Sequence, residues 1–149
     1  MNKAVGLYER ESGKGSLSGD KGLATAINLA GKQRMLTQKM SKESLLIRYG
    51  YNVEQYRSNL TDTYLLFDRT LTGLKQGDSV LGLSGTQNST ILTQLNTVSA
   101  LWGEFQPLVK SVAESSSVDK SVIQQIADKN VPLLKAMNTA VKLFEKEAK

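Results

Sequence analysis

The chain has 149 residues, a formal charge of +5, and neither cysteine nor histidine. That length suits one domain with a proper core, and the two missing residue types exclude disulfides, thiolate chemistry and the usual zinc sites. The 19 lysines and arginines are scattered over every segment instead of alternating with aromatics on one surface, so a nucleic-acid interface is not expected, although the net positive field favours anions.

Residues 1–22 read as a flexible lead-in or short N-terminal helical extension, with helical character at 4–10 followed by a Gly/Ser-rich stretch. Residues 23–149 form the folded domain. A first long helix is expected over about 20–49, ending at Gly50. A second starts at Asn52, a suitable N-cap, and carries Val53, Tyr56, Leu60, Tyr64, Phe67, Leu71 and Leu74 at steps of three and four. Three glycines with Asp and Ser make 77–87 a loop.

Asn88 or Ser89 caps a third helix bearing Leu92, Leu95, Val98, Trp102, Phe105, Val109 and Val112, with Pro107 expected to kink it or remove one hydrogen bond. Ser115–Ser117 turns the chain. A fourth helix from about Asp119 presents Val122, Ile126, Leu133 or Leu134, Met137, Val141 and Phe144, and Pro132 is a second expected kink. Strand patterns are missing. Four long helices with short connections give an all-α, antiparallel up-down-up-down four-helix bundle. No stretch reaches the roughly 18 apolar residues of a membrane span, and no signal peptide is evident; in a membrane-bound parent the anchoring helices would flank this segment.

The first helix carries more than a core face. Turning about 100° per residue puts Ala26, Leu29, Gln33, Leu36, Met40 and Ile47 on one stripe, read as the core. The opposite stripe should be solvated, yet it holds Ile27, Gly31, Arg34, Gln38, Ser41 and Leu45, with Lys32, Lys39 and Lys42 on the flank between. Apolar residues, a glycine and one arginine describe a contact face, self-complementary about a twofold axis in a second copy. Two arginines meeting there would repel until an anion came between them, and a planar guanidinium matches a planar oxyanion. The pattern also fits a solvated arginine whose stem covers apolar surface, beside a tolerated helix glycine.

The run Ile27-Asn28-Leu29-Ala30-Gly31-Lys32-Gln33-Arg34-Met35-Leu36-Thr37-Gln38-Lys39-Met40 resembles the signature of the PilJ-type, or type IV pili methyl-accepting chemotaxis N-terminal, ligand-binding domain. Ala-Gly, two residues, then Arg-Met is also similar to the first sensor helix of nitrate/nitrite sensor kinases. The likeness extends over 23–148, through Phe67, Leu71-Thr72-Gly73-Leu74, Gly77-Asp78, Leu81-Gly82-Leu83, Leu101-Trp102, Phe105, Leu133-Leu134, Met137-Asn138 and Val141. Lys32-Gln33 departs from the pair found in the nitrate kinases.

The resemblance implies a periplasmic domain of an inner-membrane receptor, homodimeric through the first helix, with a small anion on the dimer axis. Nitrate, or nitrite, is the anion expected. Arg34 would donate from both copies and the Gly31 backbone would lie against the ligand, with Ile27, Ala30 and Gln38 around them. A methyl-accepting chemoreceptor is the first parent implied. A histidine kinase is the alternative, as is a PilJ-type domain taking an organic ligand or a protein partner. No cofactor or metal is implied. With no carboxylate pair, activated nucleophile or phosphate loop, enzymatic activity is not expected.

Overall fold

A computed structural model describes residues 17–149. The helical piece expected at 4–10 and the Gly/Ser-rich stretch up to residue 16 lie outside them. Four helices follow: α1 (Leu17–Arg48), α2 (Val53–Gln76), α3 (Ser89–Glu114) and α4 (Lys120–Ala148). α1 packs on α2 and α4, α3 on α2 and α4, and α1 meets α3 only thinly across the diagonal. This is the antiparallel up-down-up-down bundle, and the described residues contain no strand beyond an isolated Asp78–Leu83 bridge. Residues 17–22, assigned above to the lead-in, already belong to α1.

α2 and α3 supply the aromatic centre. Phe67 and Phe105 are fully buried, and the Phe67 and Trp102 rings stack with centroids 4.3 Å apart. The Trp102 indole N–H donates to Asp68 at 2.9 Å, which satisfies the single polar atom of a buried ring. α4 seals the core with Ile126, Leu133, Met137, Val141 and Phe144; Leu133 takes the core position and Leu134 is half-buried. On α3, Ile91 is buried and Leu92 is 38% exposed, a one-residue correction to the expected stripe. Both prolines lie inside continuous helices on solvent-facing positions, where the missing N–H weakens one turn without ending the helix.

Helix starts follow their caps. Asn88 accepts from the amides of Thr90 and Ile91, and Asp119 accepts from Ser121. Asn52 occupies its N-cap position in the left-handed region, φ 39°, and its side chain caps nothing; its carbonyl accepts from Tyr56 instead. The 77–87 loop folds back onto the bundle. Gly77 and Gly85 take φ of 95° and 82°, and any Cβ on Gly85 would sit 2.8 Å from the Gln76 carbonyl carbon. Asp78 pins the loop, receiving Arg69 Nε at 2.8 Å and the amides of Val80 and Leu81.

The Arg69 hydrogen bond holds the Asp78 carboxyl below the usual carboxylate range, with partial burial opposing and the Leu81 and Val80 amides assisting. A depressed folded-state pKa means this contribution is full above the ordinary carboxylate pKa and disappears as pH falls through the lower, folded value. The protection of the Val80 and Leu81 amides relative to their intrinsic exchange rates is therefore expected to hold down through the ordinary carboxylate range and to fall only at more acidic pH. Asp78→Asn should abolish that acid step and leave both amides less protected at neutral pH.

Candidate anion site on the first helix

The buried positions of α1 are Gly22 and then Ala26, Ala30, Gln33, Thr37, Met40, Ser44 and Ile47, the latter alternating steps of four and three, together with Glu43 on its α2 side. Leu29 and Leu36, placed in the core stripe from sequence, are only half-buried. Moving each core position one residue forward gives Ile27, Gly31, Arg34, Gln38, Ser41 and Leu45, the second stripe. One residue is about 100° of rotation, so the two stripes lie a quarter-turn apart and not on opposite sides. The second stripe consequently borders α4. Ser41 and the Thr37 carbonyl both accept from Asn130 Nδ2 at 2.8 Å, and Arg34 Nη1 donates to Asn138 Oδ1 at 2.9 Å.

Ile27, Gly31 and Arg34 are half-buried, Gln38 is exposed, and Ala30 is completely buried. Gly31 and Arg34 share one patch, since a Cβ on Gly31 would lie 3.7 Å from Arg34 Nη2. Ile27 and Gln38 flank that pair along the stripe, one turn to each side. Ala30 faces the core and offers no surface to a ligand, which separates it from the other four.

Arg34 differs from the other cations of this helix. Lys39 binds Glu43 at 2.6 Å and also Thr63, Arg48 donates to the Val118 carbonyl, and Lys21, Lys32 and Lys42 are exposed to water. Arg34 is half-buried, and among the described residues no carboxylate lies within ion-pairing distance. Its observed partner, Asn138, is neutral. A guanidinium has five N–H donors, and one amide oxygen leaves both its charge and most of those donors unmatched. Thr37 Oγ1 donates to the Arg34 carbonyl at 2.7 Å, securing the backbone beneath it. Leu45 on the same stripe is 42% exposed, and Met35, about 100° further from the core, is 70% exposed.

A model of the PilJ family, described as type IV pili methyl-accepting chemotaxis transducer N-term, matches residues 16–128. The chain belongs to the PilJ family. It is 30% identical over 123 residues to the methyl-accepting chemotaxis protein McpN of Pseudomonas aeruginosa, an alignment covering 82% of this chain and 22% of that protein. The chain thus spans about a fifth of the length of this relative. Its fold is similar to the solved ligand-binding domain of the P. aeruginosa nitrate receptor McpN, with a TM-score of 0.72 and 28% identity, covering 84% of this chain and 97% of the other. The family is one of chemoreceptor ligand-binding domains, sensors rather than enzymes. Among the described residues no helix is long and apolar enough to cross a membrane.

Sequence reasoning missed Asn138 and Asn130. Asn130 interrupts the apolar pattern of α4, which was the available signal there, whereas Asn138 lies beside that pattern; their partners on α1 are 89 and 104 residues away along the chain. It also read Gln33 as simply core. Gln33 is fully buried, donates to the Phe67 carbonyl at 2.9 Å, and leaves its Oε1 without a partner.

Gly31 is not required by the packing of one chain, because 3.7 Å to Arg34 is ordinary van der Waals contact. Gly31→Ala is therefore expected to stabilise the isolated monomer by about 1 kcal/mol, the usual helix-propensity difference. Urea unfolding at dilute, monomeric concentration without ligand checks this; a destabilised variant would show that the single-chain packing itself needs glycine.

Proposed function

We propose that this chain is the periplasmic sensor domain of an inner-membrane chemoreceptor, homodimeric through α1, and that it binds nitrate, or nitrite, on the dimer axis. The observation carrying this reading is Arg34: half-buried, free of carboxylates among the described residues, hydrogen-bonded to a neutral amide, and beside a glycine that its own chain does not need. The matched domain of McpN is that of a nitrate receptor, which supports the choice of anion.

Two copies meeting along Ile27, Gly31, Arg34, Gln38 and Leu45 bring two guanidinium groups together. At about 5 Å and an effective dielectric near 20, their repulsion is roughly 3 kcal/mol. One planar monoanion between them reverses the sign of that term while accepting in-plane N–H donors from both sides. Ligand thereby favours the closed arrangement of the two first helices, a population shift whose size is limited by the difference in affinity for the two states. The parent is read as a methyl-accepting receptor, with membrane helices preceding α1 and following α4; a histidine kinase would use the same input.

A site inside one bundle is the competing arrangement. The structure has a cavity of about 190 Å³ at the end where α1 begins and α4 finishes, with Leu74, Leu83 and Phe144 in its apolar wall. Glu147 also lines it and among the described residues no cation does, which opposes an anion there.

Calorimetric titration with sodium nitrate at constant chloride tests the proposal. Saturation is expected near one nitrate per two chains. Arg34→Ala should abolish the heat, and Arg34→Lys should weaken binding at least tenfold, because an ammonium lacks the planar fork. One ligand per chain would move the site into the bundle, and no heat with nitrate or nitrite in a folded dimer would redirect the reading to an organic ligand or a protein partner.

A further inference from the structure

Arg34 reaches across the α1–α4 seam to Asn138, and this contact has a specific chemical character. The acceptor is the side-chain oxygen of an amide, 2.9 Å from Nη1, on a half-buried residue. Like Gly31 on α1, it lies at the margin of its helix: the core of α4 runs through Asn130, Leu133, Met137 and Val141, and Asn138 follows Met137 by one residue. Asn138 therefore holds the guanidinium from the side, and the edge bearing Nη2 lies next to Gly31.

An arginine side chain free in solvent samples many rotamers, and fixing it on a ligand costs conformational entropy. A hydrogen bond already made in the ligand-free chain reduces that cost. An aspartate could make the same bond more strongly, but it would neutralise the charge that an anion needs. An amide fixes the group and leaves its charge intact.

We propose that Asn138 is the positioning residue of the anion site: it preorients the Arg34 guanidinium through a neutral acceptor, keeping the positive charge available to the ligand, and it joins the occupied arginine to α4. The inference rests on the reading of Arg34 as the anion-binding group. It adds a residue from a second helix to a site otherwise drawn from α1 alone, and it makes α4 mechanically party to whatever Arg34 binds.

The discriminating substitution is Asn138→Asp, nearly isosteric and able to keep the bond. Thermal unfolding and nitrate calorimetry are to be run side by side on the parent chain, Asn138→Asp and Asn138→Ala. Asn138→Asp is expected to retain the parent melting temperature or exceed it, while nitrate affinity falls at least tenfold. Asn138→Ala is expected to lose about three- to tenfold in affinity through lost preorientation. If Asn138 merely ties α1 to α4, a folded Asn138→Ala will bind nitrate as the parent does, and that result, like an Asn138→Asp that binds as the parent does, overturns the proposal. Should Asn138→Asp fail to fold, unchanged affinity in a folded Asn138→Ala overturns it equally. A parent chain that binds no nitrate defeats the reading of Arg34 itself, an outcome distinct from a parent that binds and an aspartate variant that binds equally well.

Discussion

The organisation of the domain depends on one geometric fact about α1: two stripes of three-and-four spacing run along it, displaced by a single residue. The first, from Ala26 to Ile47, is buried in the bundle. The second, from Ile27 to Leu45, must then lie about 100° away, too far round to be covered and too near to leave α4. Each residue of the second stripe sits on the rim between the α1–α4 seam and open solvent. Arg34 inherits both environments. Its partial burial weakens the competition from water, its backbone is secured by Thr37, and its guanidinium still has a free side.

The seam itself is unusually polar for a helix bundle. Where α3 presents Leu95, Val98, Trp102, Phe105 and Val109, α1 presents Gln33, Thr37 and Ser44. Asn130 supplies two of the bonds across to α4, and Gln33 anchors the other side to α2. Gln33 Oε1, Glu43 Oε1 and Ser44 Oγ are buried without partners, each a group whose lost hydrogen bond typically costs about 1–3 kcal/mol. α1 is thus attached by directional bonds from Gln33 and Asn130 as well as by the apolar contacts of Ala26, Ala30, Met40 and Ile47. Such bonds have discrete arrangements, which distinguishes this helix from the aromatic block formed by α2 and α3.

Much of this was visible in the sequence. The helix count, their order, the loop at 77–87 and most core positions of α2, α3 and α4 follow from periodicity and caps, because there the buried residues are large and apolar. Periodicity misplaced the core line of α1 for a physical reason: small and polar residues occupy the buried positions, while Leu29 and Leu36 lie on the flank toward α2. A rule that sends leucine inward turns the stripe toward Leu29 and Leu36 and passes over Ala30, Thr37 and Ser44, although it kept Gln33 inside. Arg34 and Gly31 could be singled out as odd residues for an outer face, and the resemblance gave them a role. Asn138 could not, because what marks it is a contact between α1 and α4 that no local pattern encodes.

Net charge alone would make a poor anion site. Of the cations on α1, the exposed lysines are fully hydrated and screened within about 8 Å at physiological ionic strength, and Lys39 is already matched to Glu43. A lysine at position 34 would carry the same charge as Arg34, but its more strongly hydrated ammonium offers three donors from one point and cannot lie flat against the Gly31 edge. Arg34 instead presents a plane held at one corner by Asn138. In the proposed site, selectivity for a small planar anion would come from the orientation of that plane, while the surrounding positive field would contribute attraction without choosing among anions. For this reason the neutrality of the residue that orients the arginine matters as much as the charge of the arginine itself.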